Sequence, residues 1–441
     1  MTFLTISRYS NCFFFANVIF LALLPGCKKE NTDSVPPVIT IISPSAGTTY
    51  DYEEGIPVHA SVSDDKQLTS IRIDVTNATN QQFLQSISYL DVGVSKEVNT
   101  FIFNDDLYLE SGNYFVRITA SDGSNESVVY QEITLNEAPT LLQKIYVVKE
   151  YDANYFEIDS LTTSASTEVA GYFNGSYAVG GIDSRYKICV IGNQEQHVIQ
   201  TYDANSFQTI SGQATISSPA DYARDIFYDE ATHSFLIGGY DGKIWKVNNS
   251  GLVSTAFDTF SALNAEHLVA TDNMVFVHLR HPLGTGQNMS VYNRSSGTLI
   301  QSMTFDDAFD VKGMFVLDDD HILVAGNAGG ESLFQVYNNM TNFFNEVFTF
   351  YDHTEISGVW PGPPGRFYVG HADGIVTYDL DIQITSTGLP IQPAKLVYEK
   401  ISGNVYAIEP SSIHILNTNA TAELGSISGT SYLDVLLLYN K

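Results

Sequence analysis

The chain has 441 residues, 44% of them apolar and 12% aromatic, enough to bury more than one core, so two folded domains are expected. Its 21 Lys and Arg stand against 50 Asp and Glu. The resulting formal charge of −29 repels polyanions at long range, which argues against nucleic acid and against adhesion to anionic membranes through a basic patch.

Residues 1–26 read as a targeting segment. Arg8 supplies a positive start, and Phe13–Leu24 form an apolar run of about twelve residues, too short to span a bilayer. Leu24-Pro25-Gly26-Cys27 follows. This junction resembles a bacterial lipoprotein signal, which implies that Cys27 is acylated, becomes the N-terminus and tethers the protein to a membrane. The alternative is an ordinary signal peptide with an incidental Cys. Under the lipoprotein reading Cys12 is discarded and Cys27 carries lipid, so only Cys189 remains and no intramolecular disulfide forms. Cys189 lies in the strand-like run Tyr186–Ile191 and reads as a small buried apolar residue. Residues 27–37 are polar, end in Pro36-Pro37, and predict an extended tether. The Lys28-Lys29-Glu30 start is similar to export signals of Bacteroidetes lipoproteins, and both faces of the outer membrane stay open as destinations.

Residues 38–137 alternate apolar and polar in short runs: Ile56, Val58, Ala60 and Val62; Ile71, Ile73 and Val75; Tyr114, Val116, Ile118 and Ala120; Val128, Tyr130 and Ile133. Turn residues such as Asp64-Asp65 and Asp122-Gly123 separate them, and this spacing predicts an antiparallel β-sandwich. The stretch Leu109–Ile118 followed by Ala120-Ser121-Asp122-Gly123 resembles the late strands of bacterial Ig-like, PKD-like and cadherin-like modules. That resemblance implies calcium as a candidate cofactor on Asp64, Asp65 and Asp122; the alternative is that each bonds its own backbone in a turn. No other cofactor is expected. Asn136–Gln143 is the expected junction, with the second domain running over 138–441.

From Asp159 to Asn417 one phrase recurs seven times: an apolar residue, two variable positions, an apolar residue, then Asp or Asn. The closing positions are Asp159, Asp203, Asn248, Asn293, Asn338, Asp379 and Asn417, spaced by 44, 45, 45, 45, 41 and 38 residues. A period of about 40–45 residues is the signature of a β-propeller built from four-stranded blades. Apolar runs and Gly/Asp turns precede each phrase, so the phrase is expected to be the third strand of its blade. The first phrase has one good strand before it, Ile145–Val148, whereas an extra apolar run, Tyr432–Tyr439, follows the last. The C-terminal run is therefore expected to be the innermost strand of the first blade, closing a seven-bladed propeller without a bare edge. Turn phrases such as Val291-Tyr292-Asn293-Arg294-Ser295-Ser296-Gly297-Thr298 resemble bacterial WD40-like, YVTN-type and quinoprotein-like propellers. The two tryptophans, Trp245 and Trp360, are too few for a tryptophan-docking repeat, which speaks against a quinone cofactor.

The fold class expected is thus all-β, an Ig-like sandwich and then a seven-bladed propeller. In such a fold the loops that gather near the axial mouth carry Tyr222, Arg224, Asp225, His267, Asp307, Asp310, His353 and His371, the candidate ligand-binding residues. Histidine beside carboxylate serves metal binding or acid–base chemistry, but no P-loop, HExxH, GxSxG or CxxC pattern is present, and no catalytic residue or metal ligand is assigned. A lipid-anchored binding or scaffolding protein for a glycan, peptide or partner protein is expected ahead of a hydrolase or lyase, or a subunit of an uptake or secretion complex.

Overall fold

The computed structural model describes residues 33–161, 167–193, 198–210, 214–215, 223–259, 263–349, 355–379 and 383–441. Among these residues every regular element is a β-strand, and the chain divides into two compact units between Pro139 and Thr140. Residues 1–26, read above as a targeting segment, and Cys27, Tyr222 and His353 lie outside the described residues.

The first unit contains β1 (Val38–Ser43), β2 (Thr48–Tyr50), β3 (Gly55–Thr76), β4 (Ile87–Phe103), β5 (Gly112–Ser121) and β6 (Glu126–Leu135). β3 changes partners along its length. Its first half pairs with β1 and with the end of β4, and its second half pairs with β5 and the start of β4. β5 pairs antiparallel with β6, and β2 lies parallel to the end of β6. The alternation read from the sequence sends Ile56, Val58, Ala60 and Val62 from one half of β3, and Ile71, Ile73 and Val75 from the other, into a single core with Val116 and Ile118. The fourth run departs from expectation. Ile133 is buried, but Val128 and Tyr130 are exposed, because β6 meets the core only near its C-terminal end. Tyr130 packs edge-on against Phe115 instead.

The second unit is seven four-stranded sheets, numbered here one to seven. Sheet one combines the C-terminal strand Tyr432–Tyr439 with strands of 142–174; sheets two to seven occupy 177–215, 223–258, 264–305, 310–349, 356–387 and 395–428. All pairings within them are antiparallel, and sheets two to seven are strand meanders in chain order, whereas sheet one takes its first strand from the C-terminus. Tyr432–Tyr439 pairs with Leu142–Lys149, which makes it the first strand of sheet one. The first strands of sheets two to seven, starting at Tyr177, Ala223, Asn264, Asp310, Ile356 and Lys395, lie each against the next, and Tyr432–Tyr439 lies against both the second and the seventh. Second strands such as Ile188–Asn193 and Ser234–Gly239 are buried along their whole length between neighbouring sheets.

All seven phrases fall on third strands. Five of their closing residues serve the following turn, where the side-chain oxygen accepts backbone N–H groups: Asp203 from Asn205 and Ser206, Asn248 from Ser250 and Leu252, Asn293 from Ser295 and Ser296, Asn338 from Thr341, and Asn417 from Thr421 and Ala422. The other two reach back to the second strand, Asp159 to Lys149 at 2.7 Å and Asp379 to Arg366 at 3.6 Å. Cys189 is fully buried, and burial pushes its thiol pKa up, so it is an apolar core residue.

Candidate functional site

Neighbouring first strands lie side by side, and unrepeated polar side chains meet at their starts. In six of the seven the pairing slips within the first three or four residues, passing over Leu433, Ala178, Arg224, Glu266, Lys312 and Ser357. A bulge leaves one residue out of the ladder and re-aims side chains. Three consecutive sheets place a charge at that position, Arg224, Glu266 and Lys312.

Arg224 and Glu266 are paired across sheets, and Lys312 is paired with Asp310 on its own strand. Arg224 Nε lies 3.8 Å from Glu266 Oε2, and its guanidinium sits 5.0 Å from the centre of the Tyr240 ring. Asp225 Oδ1 accepts the N–H of Ile226 and Oδ2 accepts the N–H of Leu268 in the next sheet, both at 2.9 Å, with His267 Nδ1 at 3.8 Å. Desolvation raises the Asp225 carboxyl pKa above its ordinary range, and His267, the two backbone donors and Lys395 offset this only in part. His267 Nε2 lies 3.2 Å from the Val311 carbonyl oxygen of sheet five. Asp310 receives Arg280 at 3.0 Å and Lys312 at 2.7 Å. Partial burial works against its carboxylate, but the two cations outweigh it and hold the pKa low. On the opposite stretch of the series, Asp434 accepts Lys395 Nζ and the Tyr177 hydroxyl, both at 2.5 Å, joining sheets seven, one and two.

The structure therefore brings together Arg224, Asp225, His267 and Asp310. Asp307 accepts the Gly286 N–H at 2.8 Å and ties two loops together. His371 ends the second strand of sheet six and is 7% exposed, a wall residue and not a surface one. Lys312, Lys395, Asp434 and Tyr177 were not legible as site residues, because their role depends on which strand starts meet. The one local signal is a charged or hydroxyl-bearing residue at the head of an apolar first strand.

In the first unit, Asp64 and Asp65 come together with Asp33 and not with Asp122; one oxygen from each of the three lies within 4.8 Å of the others. Lys66 Nζ stands 3.3 Å from Asp33 and supplies a positive charge to this group. Asp64 accepts the N–H groups of Lys66 and Gln67, a turn in the stretch of β3 where its pairing with β4 is interrupted. Asp122 caps its own turn too, and the Asn125 side chain and turn N–H groups hold its carboxyl pKa below the usual range.

No family model matches the chain, and no curated protein matches it. Among solved structures it is similar to the computationally designed Ika8 protein, at 13% identity and a TM-score of 0.47, covering 67% of this chain and 87% of that one.

Proposed function

We propose that this chain is a lipid-anchored cell-envelope binding protein in which an Ig-like sandwich carries a seven-bladed β-propeller, and that one end of the propeller recognises a charged segment of a peptide or partner protein. The propeller reading is supported by the order of the seven sheets and by the C-terminal strand heading the first of them. The sandwich reading is supported by the partner change along β3 and the parallel pairing of β2 with β6.

The observation that carries the binding assignment is the set of alternating acids and bases at the strand starts, Arg224–Glu266, Asp225–His267 and Arg280–Asp310–Lys312. Pre-paired charges fixed on strands can exchange partners with a charged segment at little reorganisation cost, and complementarity of this kind sets specificity. A neutral sugar would gain little from it. A hydrolase or lyase is less well supported. Its base would need a ring nitrogen turned to substrate, whereas in His267 Nε2 faces the Val311 carbonyl and Nδ1 faces Asp225.

The test is site-specific photocrosslinking in intact cells from position 312 and, at the opposite end of the sheets, from position 319. A discrete adduct from position 312 that disappears in an Arg224→Glu, Asp310→Lys double variant is expected. Equal adducts from both positions would remove the assignment.

A further inference from the structure

A second site lies on the face of sheet seven that is turned to sheet six. The third strand of sheet seven, Ser412–Leu416, alternates its side chains. Ile413 enters a core with Val147 and Tyr432 of sheet one, and Leu416 enters a core with Tyr368 and Ile375 of sheet six. Ser412 and His414 stand on the Leu416 side. Glu409, at the end of the second strand, pairs with Ser412 and so joins that face. The ladder to the fourth strand skips Leu424 and sets Glu423 opposite Leu416, which brings a second carboxylate to the same face. We infer that His414, Glu409 and Ser412 form a binding site for a divalent cation of the zinc type.

Three donor atoms converge there. Ser412 Oγ lies 3.0 Å from His414 Nε2, and Glu409 Oε2 lies 3.3 Å from each of them. A triangle of this size admits one ion at ~2.1 Å from all three atoms, an ordinary length for zinc bonds to nitrogen and oxygen. The imidazole is also oriented for the task. A carboxylate only accepts, so His414 Nδ1 carries a proton and donates it to Glu423 Oε1 at 3.0 Å. In the neutral ring this leaves Nε2 as the lone pair, facing Ser412 and Glu409. A carboxylate on the far ring nitrogen is the common support of a metal-ligating histidine. Glu409 is held too: its Oε1 accepts the Gln392 N–H at 3.2 Å, and the Gln392 side-chain amide donates to the Ala372 carbonyl.

Charge favours a cation in the same place. Two carboxylates meet one imidazole, and among the described residues neither carboxylate has a Lys or Arg partner. With the ring neutral, two negative charges stand uncompensated, and a divalent ion cancels them. A nitrogen donor beside oxygen donors suits zinc and its neighbours better than calcium, which takes six to eight oxygens. The His414 side chain is 19% exposed and that of Glu409 27%, so an ion can enter from solvent. Three protein donors leave a tetrahedral ion one open position.

The experiment is calorimetric titration of the purified, untagged, metal-stripped full chain with Zn²⁺. A site with Kd below ~100 µM is expected, weakened tenfold or more by His414→Ala and by Glu409→Gln. Glu423→Gln is expected to weaken it about tenfold, because the ring loses its support. Asp64→Asn, in the all-oxygen group of the first unit, and Arg224→Glu at the charged end are expected to leave it unchanged, which separates this site from both. A tenfold excess of Ca²⁺ is expected not to displace the bound Zn²⁺. His414, Glu409 and Glu423 all reach solvent, so their variants are expected to melt within a few degrees of the wild type in chelator. Should His414→Ala fail to fold, Glu409→Gln decides alone. The inference is overturned if no Zn²⁺ site tighter than ~100 µM appears, if either His414→Ala or Glu409→Gln loses less than tenfold, or if Ca²⁺ displaces the Zn²⁺.

Discussion

His278 shows how one residue ties the charged end to the stability of the molecule. Its ring is 1% exposed and lies parallel to His267, 5.7 Å between centres. The Gln287 amide nitrogen donates to the Phe309 and Asp306 carbonyls, so Gln287 Oε1 must accept, and His278 Nε2 carries the proton at 2.9 Å. Desolvation, reinforced by His267, pushes the His278 pKa down to about 3. The unfolded chain takes up this proton below its ordinary pKa of ~6.5, whereas the folded chain stays neutral until about pH 3. Stability is therefore lost as pH falls through that window, by up to ~1.4 kcal/mol per unit from this residue. Urea midpoints at pH 7.5 and pH 5 should differ less in His278→Gln than in the wild type; equal differences would mean that the neutral ring contributes nothing. The acids of the first unit teach a related lesson. Asp64, Asp65 and Asp122 were all legible as turn residues, but Asp33 as the third member of their group was not, because it arrives from a segment about thirty residues away.

At the scale of elements, the C-terminal strand is the test of how the second unit holds together. Leu436 and Leu438 enter a core with Tyr146, Val148, Phe156 and Ile158, while Tyr432 and Val435 enter another with Tyr406, Ile408 and Ile413. The strand therefore serves the packing on both sides of sheet one, and it covers the backbone of Leu142–Lys149. Each of these four side chains contributes about 1.5–3 kcal/mol through burial, so together they approach the whole stability of an ordinary domain. Truncation after Ser431 is expected to abolish cooperative unfolding of the second unit in calorimetry. A truncated chain that melts cooperatively within a few degrees of the full one would show that the strand is dispensable. The phrase strands were legible because the same short apolar pattern closed by Asp or Asn recurs about every 40–45 residues. Asp159 and Asp379 were legible as strand positions but not in their roles, since Lys149 and Arg366 face them from a neighbouring strand.

For the whole molecule, the proposed lipid anchor would join the folded units to the proposed location. Cys27→Ala is expected to abolish incorporation of labelled palmitate and to move the protein from the membrane fraction to the soluble one; unchanged labelling would remove the anchor from the proposal. The sequence alone determined that the chain is all-β, where its third strands lie, and that its charge disfavours nucleic acid. Those properties follow from local periodicity, turn chemistry and net charge, which need no knowledge of distant partners. The tertiary structure alone decided which polar residues meet. Arg224 finds Glu266, and Lys395 and Tyr177 find Asp434, only because different sheets bring their strand starts side by side.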